Sequence, residues 1–181
     1  MLDFKSRVTK KALNYFFLNE DKKIYINELA RLIEEEAKNV YRILLRLEKS
    51  GILVSEFKGK ERYFFTNKKN SIYNEYKSVF LKTAGFENLL KKTVKRIGGI
   101  KGAYIYGSYP NKSYDANSDI DLLFVGEHNL LVSERAIHKI QKNIGREINV
   151  VNMTSAEFNR KKKKGNQLIK SIFERKIIKL L

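Results

Sequence analysis

Gly107-Ser108, a gap of ten residues, and then Asp119-Ile120-Asp121 is the pattern in this chain best suited to chemistry. Residues Gly102 to Tyr106 read as a short buried strand, and Asp119 to Val125 as a second one, apolar after its first residues. Gly107 between them permits a turn that a side chain would resist, and lets backbone N–H groups approach a phosphate. Ser108 adds a hydroxyl. In a strand, residues two apart point the same way, so Asp119 and Asp121 project together while Ile120 faces the other side. Two carboxylates that close repel each other unless a cation lies between them. Hard oxygen ligands suit Mg²⁺, which takes one or two carboxylates together with substrate phosphates. The pattern therefore predicts a site for a metal-bound nucleoside triphosphate and for phosphoryl-type transfer.

The run Gly107-Ser108…Ser118-Asp119-Ile120-Asp121 resembles the signature of the DNA polymerase β-like nucleotidyltransferases, and most closely their minimal prokaryotic members. The resemblance spans about residues 101–181. It implies that Gly107, Ser108 and Ser118 hold the nucleotide, and that Asp119 and Asp121 bind two Mg²⁺ ions. It also implies a third carboxylate on a later strand that helps activate an acceptor hydroxyl. Where the family often has a basic residue and a glycine, this chain has Asn111-Lys112, which makes Lys112 the expected phosphate partner. Many members have aspartate where this chain has Asn149, an amide that cannot accept a proton. Glu147 lies on the same face of the expected strand, about 6–7 Å along it. Two outcomes stay open: Glu147 is the third catalytic and metal-binding carboxylate, or the site holds nucleotide with poor turnover.

The elements ahead of this site form a different pattern. A helix over Arg7 to Leu18 precedes a short extended piece, Ile24 to Ile26. Asn27 is expected to cap the next helix, which carries Leu29, Ala30 and Ile33. A further helix runs from about Ala37 to Lys49, with Val40, Ile43, Leu44 and Leu47 on one face. Gly51 is expected to end it in a left-handed conformation. Strands Leu53 to Phe57 and Tyr63 to Thr66 follow, joined by the basic tip Lys58-Gly59-Lys60-Glu61-Arg62. Residues 1–67, and Asn39 to Leu53 most of all, resemble winged-helix regulators of the arsenic- and antibiotic-resistance repressor type. That resemblance implies a helix in the major groove of double-stranded DNA. Lys38, Asn39, Tyr41, Arg42 and Arg46 are then the groove-facing residues, with Lys58, Lys60 and Arg62 on the wing. The same module can also serve as a protein docking unit.

Between the two patterns, residues 68–99 read as helical connectors with two apolar stripes. Ile72, Tyr76, Val79, Phe80 and Thr83 make the first; Phe86, Leu89, Leu90, Val94 and Ile97 make the second. They could pair a homodimer or dock the two domains. Beyond the paired aspartates, a helix is expected over Ser133 to Ile144, a capping box at Thr154-Ser155-Ala156-Glu157, and a last strand over Ile177 to Leu180. His128 and His138 are expected to be structural.

The formal charge of +17 suits a polyanionic partner. Residues 1–80 hold 17 basic and 11 acidic side chains, a net +6, and residues 81–181 hold 20 and 9, a net +11. Lys161 to Lys164 is the densest basic run, either a polyanion contact or a solvated helix end. Without cysteine there is no disulfide or thiolate metal site. No apolar run approaches the roughly 20 residues of a membrane span, and the N-terminus lacks a signal-peptide pattern; both point to the cytoplasm. The expected class is α+β: a winged helix-turn-helix domain (1–67), a helical connector (68–99) and a nucleotidyltransferase-fold domain with a mixed sheet (100–181). The expected function is DNA binding, by a transcriptional regulator, coupled to Mg-NTP binding and nucleotidyl transfer to a hydroxyl. The alternatives are a non-enzymatic regulator with the second domain as nucleotide sensor or oligomerisation unit, and an antitoxin-like partner.

Overall fold

Apolar residues at helical spacing and short β-branched runs produce a mixed α+β protein. The computed structural model describes residues 4–111, 115 and 118–181, and among these it has eight helices and two sheets. Two compact units divide the chain. One is Met1–Leu89 with Lys142–Gly145; the other is Leu90–Gln141 with Arg146–Leu181.

The first unit runs α1 (Arg7–Leu18), β1 (Ile24–Tyr25), α2 (Ile26–Ile33), α3 (Ala37–Lys49), β2 (Leu53–Lys58), β3 (Glu61–Thr66) and α4 (Tyr73–Thr83). Its three strands lie in the order β1-β3-β2, all antiparallel. Ser6 caps α1, its hydroxyl accepting from the Thr9 N–H. The α3 stripe of Val40, Ile43, Leu44 and Leu47 is buried as its spacing requires. The following Gly51 has φ +74°, the left-handed conformation that closes the helix.

Two sequence expectations fail here. Asn27 does not cap α2: β1 pairs with β3 through Tyr25 opposite Tyr63, and the chain turns helical at Ile26, leaving Tyr25 as the N-cap without a side-chain bond. In the connector, Ile72 and Val79 are each 55% exposed, whereas Tyr73, Phe80 and Leu81 are buried. The rings of Tyr73 and Phe80 both pack against Phe17 of α1, at centroid distances of 5.6 Å. Of the expected stripe, Phe80 is buried and Tyr76 half-buried, while Ile72, Val79 and Thr83 are turned outward. In α5 (Phe86–Arg96), Phe86, Leu90 and Val94 are buried, as is Ile97 just beyond its end, but Leu89 faces outward.

In the second unit the elements are β4 (Ile100–Tyr106), β5 (Ile120–Gly126), α6 (Leu130–Ile144), β6 (Ile148–Met153), α7 (Ser155–Lys163), α8 (Gln167–Phe173) and β7 (Ile178–Lys179). The sheet order is β6-β5-β4-β7. Strands β5 and β6 are parallel, joined by α6, as a parallel pair demands. The β4–β5 and β4–β7 pairs are antiparallel, so the sheet is mixed. Leu123 and Val125 on β5 pack with Met153, Ile169 and Ile172, under the rings of Tyr104, Tyr106 and Phe158. Thr154 caps α7 by accepting from the Glu157 N–H (3.0 Å), the expected capping contact. No described helix is long and apolar enough to cross a membrane.

Candidate active site

The site forms where β4 ends and β5 begins. Tyr106, the last residue of β4, pairs with Asp121. Gly107 then turns the chain with φ +77°, and a Cβ at that position would run into the Asp121 carboxylate. The backbone conformation favours glycine here, and any side chain would also have to displace the Asp121 carboxylate. The Asn111 amide braces the turn, donating to the Gly107 carbonyl at 2.7 Å. Ser108 is half-buried, and its hydroxyl has no hydrogen-bond partner among the described residues.

Asp119 and Asp121 flank the fully buried Ile120, as two-residue alternation predicts. Asp119 is exposed and Asp121 half-buried. Neither forms an ion pair among the described residues. Burial holds the Asp121 carboxyl above the ordinary carboxylate value; a hydrogen bond from Asn149 works against this, and the neighbouring Asp119 charge reinforces it. Tyr106 is pushed up as well, by burial first and then by Asp121. The β5–β6 register places Asn149 directly beside Asp121. The Asn149 amide donates to Asp119 Oδ2 at 3.2 Å, so one side chain ties the two carboxylates together.

Glu147 stands just ahead of β6. Its carbonyl accepts from the Ile120 N–H at 3.0 Å, and its side chain is exposed. Among the described residues, no three carboxylates or histidines gather closely enough to hold a metal ion. Ser118 is committed to the loop: its hydroxyl donates to Asp115 Oδ1 (2.9 Å) and accepts from the Asp115 N–H (3.2 Å). Lys112 lies outside the described residues.

Arg146 carries no signal in the sequence. It is 7% exposed and donates to the carbonyls of Asp115 (2.8 Å) and Ser118 (3.3 Å). It thus supports the backbone immediately before Asp119. No periodicity marks it, because its role depends on a loop 28 to 31 residues earlier. His128 Nε2 lies 2.9 Å from the Asn152 amide oxygen, and its ring packs against Phe124.

Residues 87–179 match the family model of the nucleotidyltransferase domain, just over half of the chain. The chain belongs to this nucleotidyltransferase domain family. No curated protein matches it. Among solved structures, it is similar to a toxin–antitoxin with AMP-PNP at 16% identity and a TM-score of 0.39, over 52% of this chain and 72% of that one. A mutant of the toxin–antitoxin MntA-HpeT gives 14% identity and a TM-score of 0.39, over 53% and 73%. TrmBL2, an archaeal chromatin protein with a novel mode of DNA binding, gives 17% identity and a TM-score of 0.27, over 92% and 72%. At TM-scores this low the likenesses assign nothing to this nucleotidyltransferase-family chain.

The donor set fits a hard divalent cation. Two carboxylates share one strand end, one of them desolvated, with no protein cation paired to them among the described residues.

Proposed function

We propose that this protein binds a magnesium nucleoside triphosphate and transfers its nucleotidyl group to a hydroxyl acceptor, and that its first unit binds double-stranded DNA. The observation that carries the first part is the pair Asp119 and Asp121 beside the tight Gly107 turn, with no ion-pair partner among the described residues. Asp119 and Asp121 would hold one or two Mg²⁺ ions, which when bound neutralise the triphosphate charge and align the reacting oxygens. The Gly107 backbone and the Ser108 hydroxyl hold the phosphates, with Lys112 as a further cation. Asn149 keeps the carboxylates in place. Glu147, exposed at the mouth of β6, receives the acceptor proton as the hydroxyl oxygen attacks the α-phosphorus and pyrophosphate leaves.

Asn149 favours a second reading. An amide beside Asp121 gives the site no proton acceptor there. In that reading the unit is a nucleotide sensor that does not turn over, or works beside an antitoxin-type partner. Incubation with Mg²⁺ and labelled triphosphates tests both. Pyrophosphate release that disappears in Asp119→Ala supports the enzyme. Tight binding without release supports the sensor, and no binding at all ends the proposal.

Along the chain we take residues 1–67 as a winged helix, 68–99 as connector and 100–181 as the nucleotidyltransferase domain. The order α2, α3, β2–β3 supports this, as do the exposed Lys38, Tyr41, Arg42 and Arg46 on α3. Arg42 is preset by a 2.7 Å bond to the Asn39 amide oxygen. Lys58 and Lys60 are exposed at the hairpin tip, where Gly59 has φ +61° at the first turn position. Arg62 is instead engaged within the fold, pairing with Glu48 at 2.6 Å and donating to Ser55 at 2.9 Å. Arg42→Ala and Lys60→Ala should each weaken duplex binding, with a shallower salt dependence. Unchanged duplex affinity at low salt in both variants would leave the module as a protein docking unit.

A further inference from the structure

The turn that would face the triphosphate, Gly107-Ser108-Tyr109-Pro110-Asn111, contains no basic residue of its own and is followed by one, Lys112. A nucleoside triphosphate carries several negative charges beyond those its metal neutralises, and such sites ordinarily add lysine or arginine. The fold brings two cations to this turn from the far end of the chain. Strand β7 pairs antiparallel with β4, Ile178 opposite Ile105, so the residues just before β7 run past the residues just after β4. The Asn111 amide makes the connection: it donates to the Gly107 carbonyl and also to the Lys176 carbonyl, at 3.4 Å. Ile177 anchors the segment by packing, as Tyr104 and Tyr106 do, against the cluster of Leu123, Val125, Met153, Ile169 and Ile172. Arg175 and Lys176 are both exposed, and neither forms an ion pair among the described residues.

We propose that Arg175 and Lys176 are phosphate-binding residues of this site, gripping the triphosphate of the bound nucleotide from the β7 side of the Gly107 turn. The inference rests on the nucleotide-binding reading and deepens it. It assigns a role to a segment that otherwise only closes the sheet. The Asn111 amide, bonded to the Gly107 carbonyl and to the Lys176 carbonyl, holds these two exposed cations beside the glycine-serine turn.

The test is equilibrium binding of MgATP, ADP and AMP to the full-length protein and to the double variant Arg175→Ala, Lys176→Ala. Charge-assisted contacts to phosphate predict a loss of MgATP affinity of about tenfold for each cation. The loss should be smaller for ADP and negligible for AMP. The exchange Arg175→Lys with Lys176→Arg should restore most of it, and the thermal midpoint should not move. The proposal is overturned if the wild type binds MgATP and the double variant binds it equally well. It is also overturned if ATP and AMP lose affinity alike, since that is general damage to the site. A variant that keeps MgATP but loses affinity for a nucleic acid would make the segment a polyanion contact instead. If the wild type binds no MgATP, the nucleotide reading itself fails and the proposal goes with it.

Discussion

Asn149→Asp places a carboxylate beside Asp121, and its effect should change sign with the metal. Neighbouring strands lie about 4.8 Å apart, and Asn149 and Asp121 are register partners. Two charges about 5 Å apart repel by about 3 kcal/mol at an effective dielectric of 20. Access of solvent to the half-exposed pair reduces this. Loss of the 3.2 Å bond from the Asn149 amide to Asp119 removes about 1 kcal/mol more. The metal-free variant should therefore be less stable than the wild type by about 1–3 kcal/mol, a drop of several degrees in thermal midpoint for a chain of this size. If the proposed metal site is right, added Mg²⁺ or Mn²⁺ would meet three carboxylates instead of two, and a ligand that binds only the folded state stabilises it by an amount that grows with its affinity. Thermal melts in chelator and across a metal titration check this. The variant should start lower and gain more. If Asn149→Asp melts like the wild type in chelator and gains no more from Mg²⁺, then residue 149 does not share an electrostatic site with Asp119 and Asp121. The metal assignment would then be wrong.

Gly107→Ala should destabilise the protein by about 1–3 kcal/mol, combining the roughly 1–2 kcal/mol cost of a left-handed alanine with the displacement of Asp121. Gly59→Ala, also at positive φ but with open space around it, supplies the conformational cost alone, so equal losses in denaturant melts would refute the close approach. Asp121→Asn should stabilise the metal-free protein at neutral pH. The folded-state value is raised, so the stability linked to this carboxyl is fully present below the ordinary 3.8 and is lost as pH rises through the raised value. The advantage of the variant in melts from pH 3 to 8 should vanish at the acid end, and an advantage independent of pH would sink the idea. Arg62→Ala should cost about 1–2 kcal/mol through the loss of Glu48 and Ser55, with duplex affinity at low temperature near wild type. A clean loss of duplex binding without loss of stability would return Arg62 to the DNA-contacting set.

The legible parts of this protein were those governed by short-range rules. Strand alternation placed Asp119 and Asp121 on one side of Ile120, and helical spacing found the buried face of α3, because each depends on residues within a turn or two. The α4 stripe holds at Phe80 but not at Ile72 and Val79, because helical spacing is compatible with more than one face; Phe17, more than fifty positions earlier, selects the one that joins Tyr73 to Phe80. The sequence puts Asn149 and Glu147 on one face of a strand and Asn149 where many relatives have aspartate, but it carries no distance from either side chain to Asp121. Only the parallel register, set across α6, puts the amide there. The same holds for Arg146, whose guanidinium supports a loop it reaches only after β6 has docked on β5. At this site, single strands supply the charges and the pairing of strands supplies the contacts that restrain them. Asn149 and Arg146 are therefore where variants should reveal whether the family's chemistry is retained: they control how closely Asp119 and Asp121 are held, without being the carboxylates themselves.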